Sequence, residues 1–122
     1  MRGASGTGTL TNCAFSGNTA TFSGGGLHTV SATTLTNCTF NENHSVWGNA
    51  GGVYSDSTLA IANSVFWDNS DTNGKIESSQ VDNPDFPYNA TYSDIQGLTV
   101  LTAPPVINID ADPLFVDATG PD

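Results

Sequence analysis

One nine-residue phrase occurs three times in this chain at nearly constant spacing. LTNCAFSGN begins at Leu10, LTNCTFNEN begins at Leu35, and a looser copy, IANSVFWDN, begins at Ile61, so successive copies lie 25 and 26 residues apart. A second phrase separates the copies: GGGL, which ends at Leu27, and GGVY, in which Val53 is the equivalent residue. A fixed period of about 20–50 residues is typical of solenoids, propellers and repeat arrays, so this repeat constrains the fold strongly.

The pattern inside each copy distinguishes among these architectures. Apolar and polar residues alternate over short runs, as in β-strands, and the 3.6-residue apolar period of a helical repeat is missing. Only 11% of the residues are charged, and Gly, Ser, Thr and Asn make up the shortfall, which is typical of strands and turns. The sequence therefore predicts an all-β chain, a right-handed parallel β-helix of about four to five coils with three short strands in each coil.

The repeats also predict how the chain is organised. We expect one β-helix segment over 1–122, with repeats at about 9–34, 35–60 and 61–90 and irregular closing coils at 91–122. Because the first residues start in the middle of the pattern, we expect the segment to belong to a longer exported protein.

The third repeat departs from the other two. The glycine pair is missing after Asn69, and Ile76 is expected to take the inward position that Leu27 and Val53 occupy. The phrase QVDNPDFPYNA at 80–90 contains two prolines and several turn-forming residues, which predicts a loop.

Equivalent residues of successive coils lie about 4.8 Å apart in a β-helix, so identical side chains are expected to stack. Asparagine enters the left-handed backbone region more readily than other non-glycine residues, and its amide both donates and accepts hydrogen bonds. Two asparagine ladders and one aromatic stack are therefore predicted. Their members are Asn12, Asn37 and Asn63; Asn18, Asn43 and Asn69; and Phe15, Phe40 and Phe66.

Two further columns concern cysteines and aromatic residues. Cys13, Cys38 and Ser64 are equivalent, and neighbouring coils are close enough for a disulfide. Direct parallel neighbours have poor disulfide geometry, however, so we favour two buried free thiols over a disulfide. Phe22 and Trp47 are also equivalent and are expected to stack on each other.

These phrases resemble those of a known group of surface proteins. FSGN, FNEN and FWDN, alternating with GGGL and GGVY over residues 9–76, are similar to the repeats of polymorphic outer membrane proteins. TYSDIQG at 91–97 and NIDADPLFVDA at 108–118 resemble the closing coils of bacterial β-helix proteins with a variable C-terminal anchor, in the wider pectin-lyase-like group. The resemblance implies a β-helix and export, but no single function, because this fold carries lyases, hydrolases, adhesins and stalks.

The charge distribution excludes two classes of partner. The net charge is −10, Arg2 and Lys75 are the only Arg and Lys residues, and ten of the twelve acidic residues lie at or after Asp68. Such a chain cannot neutralise a nucleic-acid backbone or bind an anionic membrane surface. No apolar run reaches the roughly 18 residues of a membrane span, and the first residues lack the apolar core of a signal peptide. An extracellular or cell-surface location is expected, with any signal outside this segment.

Four residues are candidates for ligand contact. His28, Tyr54 and Glu77 are expected on the outward face of the glycine-led strand, where the resemblance places the catalytic residues of pectin-lyase-like enzymes. The alternative is an ordinary solvated strand surface. Trp67 stands where the other copies have small polar residues, so its indole is expected to be exposed and able to stack on a sugar ring.

Five acidic residues are candidates for a metal site. Glu42 and Asp68 share one column, and Asp110, Asp112 and Asp117 lie within eight residues of one another. Carboxylate oxygens are the ligands that Ca²⁺ prefers, although the tail lacks the glycine and the closing glutamate of an EF-hand loop. Exposed turns are the alternative for both groups, and no other cofactor is expected.

Taken together, these features predict a non-catalytic exported module, either an adhesin-like surface stalk or a domain that contacts a polysaccharide or cell-surface glycan. The alternative is a fragment of a polysaccharide lyase or glycoside hydrolase whose active site lies partly outside these residues. A lyase needs a base, and neither Arg2 nor Lys75 falls clearly on the His28 column; a hydrolase needs paired carboxylates. The open first and last coils also predict end-to-end self-association, because solenoid ends need polar caps.

Overall fold

The computed structural model describes residues 7–85, 88–99 and 108–114, which form a parallel β-solenoid of about three turns. The predicted all-β parallel β-helix is confirmed. The described residues form about three turns, fewer than the predicted four to five coils. The elements in chain order are β1 Thr7–Thr11, β2 Ala14–Ser16, β3 Thr19–Ala20, β4 Leu27–Thr29, β5 Ala32–Thr36, β6 Thr39–Asn41, β7 His44–Ser45, β8 Val53–Ser55, β9 Leu59–Ala62, β10 Val65–Trp67, α1 Glu77–Gln80, β11 Val81–Asp82, β12 Asn89–Thr91 and β13 Asp94–Ile95.

Equivalent strands of successive coils pair in parallel. Three of the sheets have the orders β1-β5-β9-β12, β2-β6-β10-β13 and β4-β8-β11, and a short fourth sheet joins β3 to β7. The register follows the repeat, since Leu10 pairs with Leu35 and Leu35 with Ile61. The first two coils therefore contain a fourth, two-residue strand that the sequence did not predict.

The predicted aromatic stack forms the centre of the core. The ring centroids of Phe15 and Phe40 lie 4.7 Å apart with an interplanar angle of 6°, and those of Phe40 and Phe66 lie 4.9 Å apart with an angle of 3°. Phe40 and Phe66 are fully buried, whereas Phe15 remains partly exposed on the first coil. The aromatic column predicted from FxxN is confirmed.

One of the two predicted asparagine ladders is present. The Asn18 Nδ2 donates to Asn43 Oδ1 (3.1 Å), and Asn43 Nδ2 donates to Asn69 Oδ1 (2.9 Å). The ladder continues one step beyond the prediction, because Asn69 Nδ2 donates to Gln80 Oε1 (2.9 Å). Asn43, Asn69 and Gln80 are fully buried, so these bonds satisfy amides that have no access to water.

The other predicted ladder is wrong. Asn12, Asn37 and Asn63 do adopt left-handed backbone angles, with φ of 57°, 54° and 52°, so the predicted bend is confirmed. Their side chains, however, are exposed and form no hydrogen bond with one another in the described part of the chain. The bend turns these amides toward solvent, where water competes for each bond and a ladder adds little stability.

The column of Cys13, Cys38 and Ser64 carries a ladder of hydrogen bonds that the sequence did not predict. The Cys38 N–H donates to Ser64 Oγ (3.1 Å), the Ser64 N–H donates to Ser93 Oγ (3.1 Å), and the Ser93 N–H donates to Asn108 Oδ1 (3.0 Å). Both cysteines are free thiols; Cys38 is buried, but Cys13 on the first coil is only half-buried. After Cys38, the side chains in this column therefore share one role, which is to accept a hydrogen bond from a backbone N–H of the preceding coil.

The glycine pair between repeats allows neighbouring coils to approach closely. A Cβ atom added to Gly51 would collide with the carbonyl oxygens of Asn43 and Ser70, and one added to Gly52 would collide with that of Gln80. Only glycine fits where the backbone lies so close to carbonyl groups of its own coil and of the next coil.

The third coil differs from the prediction because the chain leaves the regular path of the coil after Asn69. The chain turns at Asp71–Gly74, where each of the two residues donates its N–H to the other's carbonyl, and then forms the short helix α1. Val81, rather than Ile76, pairs with Val53 and takes the inward position, and Ile76 is exposed. The predicted loop at 80–90 therefore contains strand β11.

No helix in the described ranges is long and apolar enough to cross a membrane.

Candidate functional site

The predicted ligand-contact residues lie at two separate places. His28 and Tyr54 are paired neighbours on the outward face of β4 and β8. The next residue in this column is Asp82 of β11 rather than Glu77, because α1 displaces Glu77 from the strand. The predicted membership of Glu77 in the His28 column is therefore wrong. The letters QVD at 80–82, with one apolar residue between two polar ones, are the signal that could have identified Asp82.

The first place is a polar strip on the sheet β4-β8-β11. His28 Nε2 lies 3.2 Å from Asp56 Oδ2, and the edge of its ring contacts Tyr54 with centroids 5.1 Å apart and an interplanar angle of 79°. Burial and then the charges of Asp56 and Asp82 raise the pKa of Tyr54, so its phenol stays protonated at neutral pH. The strip thus offers an imidazole–carboxylate pair that can transfer a proton, and a phenol that can donate a hydrogen bond.

Asp82 adds a perturbed carboxyl group to this strip. Burial, followed by the charge of Asp71, raises its pKa, while a hydrogen bond from Asn49 opposes the shift. Asp71 itself is buried and is fully occupied in structure, because its carboxylate accepts from the Ala50 N–H (2.9 Å) and the Ser79 hydroxyl (2.9 Å). Asp71 therefore stabilises the fold, whereas Asp82 belongs to the polar strip.

The second place is an open groove that we call the Trp67 groove. It has a volume of about 750 Å³, and it brings together two of the candidates for ligand contact, Trp67 and Glu77, and one of the candidates for a metal site, Asp110. Strand β10 positions the indole at its C-terminal end, and α1 positions the carboxylate. The remaining lining residues are Lys75, Ile76, Ser78, Gln96, Gly97 and Thr99.

The Glu77 carboxylate is held in place by two hydroxyl groups. The Tyr88 hydroxyl donates to Glu77 Oε2 (2.7 Å), and the Thr99 hydroxyl donates to Glu77 Oε1 (2.7 Å). Burial, followed by the hydrogen bond to Glu77, raises the pKa of Tyr88, which keeps this phenol a donor at neutral pH. Glu77 is therefore a fixed acceptor at the wall of the groove.

Other polar groups of the groove have unused capacity. The Trp67 side chain is half-buried, and its indole N–H has no hydrogen-bond partner among the described residues. Gln96 Oε1 accepts from the Asp68 N–H (2.8 Å) and from Gln80 Nε2 (3.3 Å), and the Gln96 amide donors have no partner among the residues that the structure describes. Lys75 Nζ lies 3.2 Å from Asp68 Oδ1, in a solvent-exposed pair that contributes little stability.

The metal-site candidates do not converge. No group of three or more His, Cys, Asp or Glu side chains with suitable geometry for a metal ion occurs within 7–85, 88–99 and 108–114. Glu42 and Asp68 lie at left-handed bends with φ of 57° and 58°, and Asp68 faces Lys75 instead. Asp110 and Asp112 are exposed, and Asp117 lies outside the described residues.

Asp110 and Asp112 instead affect a neighbouring carboxyl group. Asp94 is buried, and its Oδ1 accepts the Ala111 N–H (3.1 Å). Burial raises the pKa of Asp94, the charges of Asp110 and Asp112 raise it further, and the bond from Ala111 opposes the shift. The tail therefore packs against the last coil through an acid that is unfavourable in its charged form.

The predicted stack of Phe22 on Trp47 is wrong. Their backbones lie in register, since the Trp47 N–H donates to the Thr21 carbonyl (2.9 Å). The side chains are nevertheless 70% and 72% exposed, and their rings make no contact. Both rings point into solvent at a corner of the coil, away from the core.

Comparison with protein-family models, with curated proteins and with solved structures finds no significant match. The resemblance to polymorphic outer membrane protein repeats and to the pectin-lyase-like group therefore stays a prediction from the sequence.

Proposed function

We propose that this chain is a non-catalytic module of an exported surface protein and that it contacts carbohydrate through the Trp67 groove. The observation that carries the proposal is the combination of one half-buried indole with fixed and unused polar groups in a single open groove. Its volume of about 750 Å³ lies in the range of about 300–1,000 Å³ that is typical of small-molecule sites, enough for a few sugar rings.

The chemistry of the groove matches that of a sugar. One face of a sugar ring carries C–H groups that pack on an aromatic face, which Trp67 supplies. The hydroxyl groups at the ring edge both donate and accept, so they can pair with the Glu77 carboxylate and with the free amide donors of Gln96. Glu77 is already oriented by Tyr88 and Thr99, so little side-chain entropy is lost on binding.

The charge of the groove favours a neutral polysaccharide over an anionic one. Glu77 and Asp110 contribute two carboxylates, Lys75 is paired with Asp68, and the whole chain carries a net charge of −10. A polymer of uronic acids would meet like charges, which cost binding energy wherever they are juxtaposed.

Tryptophan fluorescence tests this proposal directly, because the chain has only two tryptophans. In a Trp47→Ala variant, Trp67 is the only emitter, and we expect its fluorescence to change on titration with neutral oligosaccharides. Affinity electrophoresis in gels that contain neutral polysaccharides should show retardation of the wild type and of Trp47→Ala, and loss of retardation for Trp67→Ala.

The matched control is informative because Trp47 is more exposed than Trp67 but lies outside the groove. If Trp47→Ala loses retardation while Trp67→Ala keeps it, the site is wrong. If no neutral polysaccharide retards the wild type, the proposed carbohydrate contact is refuted.

A second candidate function is favoured by one contact, the 3.2 Å approach of His28 Nε2 to Asp56 Oδ2 on the polar strip. This pair would serve as a proton-transfer group in a fragment of a polysaccharide lyase or glycoside hydrolase. The expected result is release of unsaturated products or new reducing ends from pectin or alginate, with loss of the signal in His28→Gln. A wild-type chain that releases neither would refute this candidate.

A further inference from the structure

The surface beside the Trp67 groove continues along the outward face of β2, β6 and β10. The phenylalanines of the aromatic stack lie in the middle of these strands and point into the core, so the residues on either side of them point outward. The last residues of the three strands, Ser16, Asn41 and Trp67, are paired in register. We call these three residues the Asn41 column. Because neighbouring strands lie about 4.8 Å apart, the column extends about 10 Å from Trp67 along the axis of the solenoid.

The outward face of these strands is uncharged, although the whole chain carries a net charge of −10. The strands read AFS, TFN and VFW and contain no Asp, Glu, Lys or Arg. The second outward column of the face consists of Ala14, Thr39 and Val65, whose side chains are short. The acidic residues Glu42 and Asp68 lie at the bends that follow β6 and β10. A neutral ligand can therefore lie on this face without approaching a charge on the strands.

The polar side-chain atoms of the Asn41 column are not used within the described ranges. Asn41 Oδ1 is shielded from water and accepts no hydrogen bond there. Asn41 Nδ2, the Ser16 hydroxyl and the Trp67 indole N–H also have no partner among those residues. An unpaired acceptor that is already shielded from water loses no hydration when a ligand binds, so a hydrogen bond to it adds more affinity than one to a solvated group.

The Asn41 amide reaches a ligand through one rotation. The last side-chain torsion of asparagine is broad, so the amide can turn and bring Oδ1 out of its shielded position. There the oxygen can accept from a sugar hydroxyl, and Nδ2 can donate to another oxygen of the same sugar. No hydrogen bond within the described part of the chain has to break for this rotation.

We propose that the sugar-binding surface extends from the Trp67 groove along the Asn41 column, and that its ligand is a neutral polysaccharide chain that runs along the solenoid axis. This inference rests on the proposed function of the groove. One sugar unit stacks on Trp67, the next pairs with Asn41, and a third reaches Ser16. The length of a sugar unit in an extended chain is close to the spacing between strands, so successive units meet successive coils. The site therefore recognises a polymer rather than a single sugar.

Calorimetric titration of the intact chain tests this extension. The probes are the disaccharide and the hexasaccharide of β-1,4-linked glucose, mannose and xylose. We expect at least one hexasaccharide to bind about ten-fold or more tightly than its disaccharide, because only the longer oligomer spans the column. Asn41→Ala should weaken that hexasaccharide about five-fold and leave the disaccharide unchanged. Asn41→Leu, which keeps the volume of the side chain, should weaken the hexasaccharide to the same degree.

Two variants serve as controls for the role of Asn41. Asn89 lies on the outward face of β12 in another sheet, and its side chain also has no hydrogen-bond partner among the described residues. Asn89→Ala should therefore bind both oligomers as the wild type does. Trp67→Ala removes the stacking surface of the groove and should abolish binding of both. Urea midpoints of the Asn41 and Asn89 variants, matched to the wild type, show that they remain folded.

The outcomes separate failure of the extension from failure of the groove. If Trp67→Ala abolishes binding but Asn41→Ala binds the hexasaccharide as the wild type does, the extension is wrong and the groove remains. Equal affinity of the wild type for the two oligomers overturns the extension as well. So does equal weakening of both by Asn41→Ala, because Asn41 would then only support the indole. A wild type that binds none of the six oligomers overturns both proposals.

Discussion

The buried asparagine ladder should contribute more to stability than any exposed asparagine of the repeat. Four hydrogen bonds end on the Asn43 amide: Oδ1 accepts two from Asn18 (3.0 and 3.1 Å), and Nδ2 donates to Asn69 Oδ1 (2.9 Å) and to the Phe15 carbonyl (2.8 Å). Each bond contributes about 1 kcal/mol net, and the freed groups of Asn18 regain part of that from water. We expect Asn43→Ala to lower the free energy of unfolding by about 3–4 kcal/mol.

Two other asparagines serve as controls. Asn37 is exposed, and its replacement by alanine costs only the strain of its left-handed backbone, about 1 kcal/mol. Asn18→Ala removes one donated bond at an exposed position and should also cost about 1 kcal/mol. Urea unfolding, followed by circular dichroism, measures all three variants against the wild type. If Asn43→Ala is no more costly than Asn37→Ala, the ladder does not stabilise the coils as described.

Two further predictions concern the close contact of the coils and the buried acids. Gly51→Ala should destabilise the chain strongly or prevent folding, because the added Cβ collides with backbone carbonyls. In the control variant Gly8→Ala the added Cβ lies at ordinary contact distances, so the urea midpoint should change little. Equal effects of the two substitutions would refute the close approach of the backbone at Gly51. Stability should rise as the pH falls from neutral toward the ordinary aspartate value of 3.8, because the folded-state pKa values of Asp82 and Asp94 are raised and their charged forms are the unfavourable ones. Urea midpoints measured at several pH values test this rise in stability. The Asp82→Asn, Asp94→Asn double variant should show a smaller rise than the wild type. A wild-type midpoint that falls throughout the same range would contradict the prediction.

The repeat was sufficient to predict the fold and its core. Positions that recur in register, such as Phe15, Phe40 and Phe66, point inward in every coil, and the structure stacks them as predicted. The role of each asparagine column was harder to predict, because asparagine has two different uses in this fold. At Asn37 the left-handed backbone matters and the side chain faces water, whereas at Asn43 the side chain itself is the buried element.

The candidate sites were less predictable, because they depend on the part of the chain where the repeat is interrupted. Once the glycine pair is lost after Asn69, counting residues places Glu77 on the His28 column, but the helical turn at 77–80 moves Asp82 there instead. The same turn carries Glu77 into the groove beside Trp67, a proximity that no sequence spacing indicates. Interactions that break the period, such as the capping of Asn69 by Gln80, have no equivalent elsewhere in the repeat to reveal them.

Contacts between aromatic side chains in solution test the account most directly, since every placement described depends on the vertical stacking of equivalent residues. Nuclear Overhauser spectra of a phenylalanine-labelled sample should show ring-to-ring contacts of Phe40 with both Phe15 and Phe66, whose centroids lie 4.7 and 4.9 Å away. Spectra of the folded chain in which Phe40 contacts neither ring would contradict the solenoid and the sites placed on it.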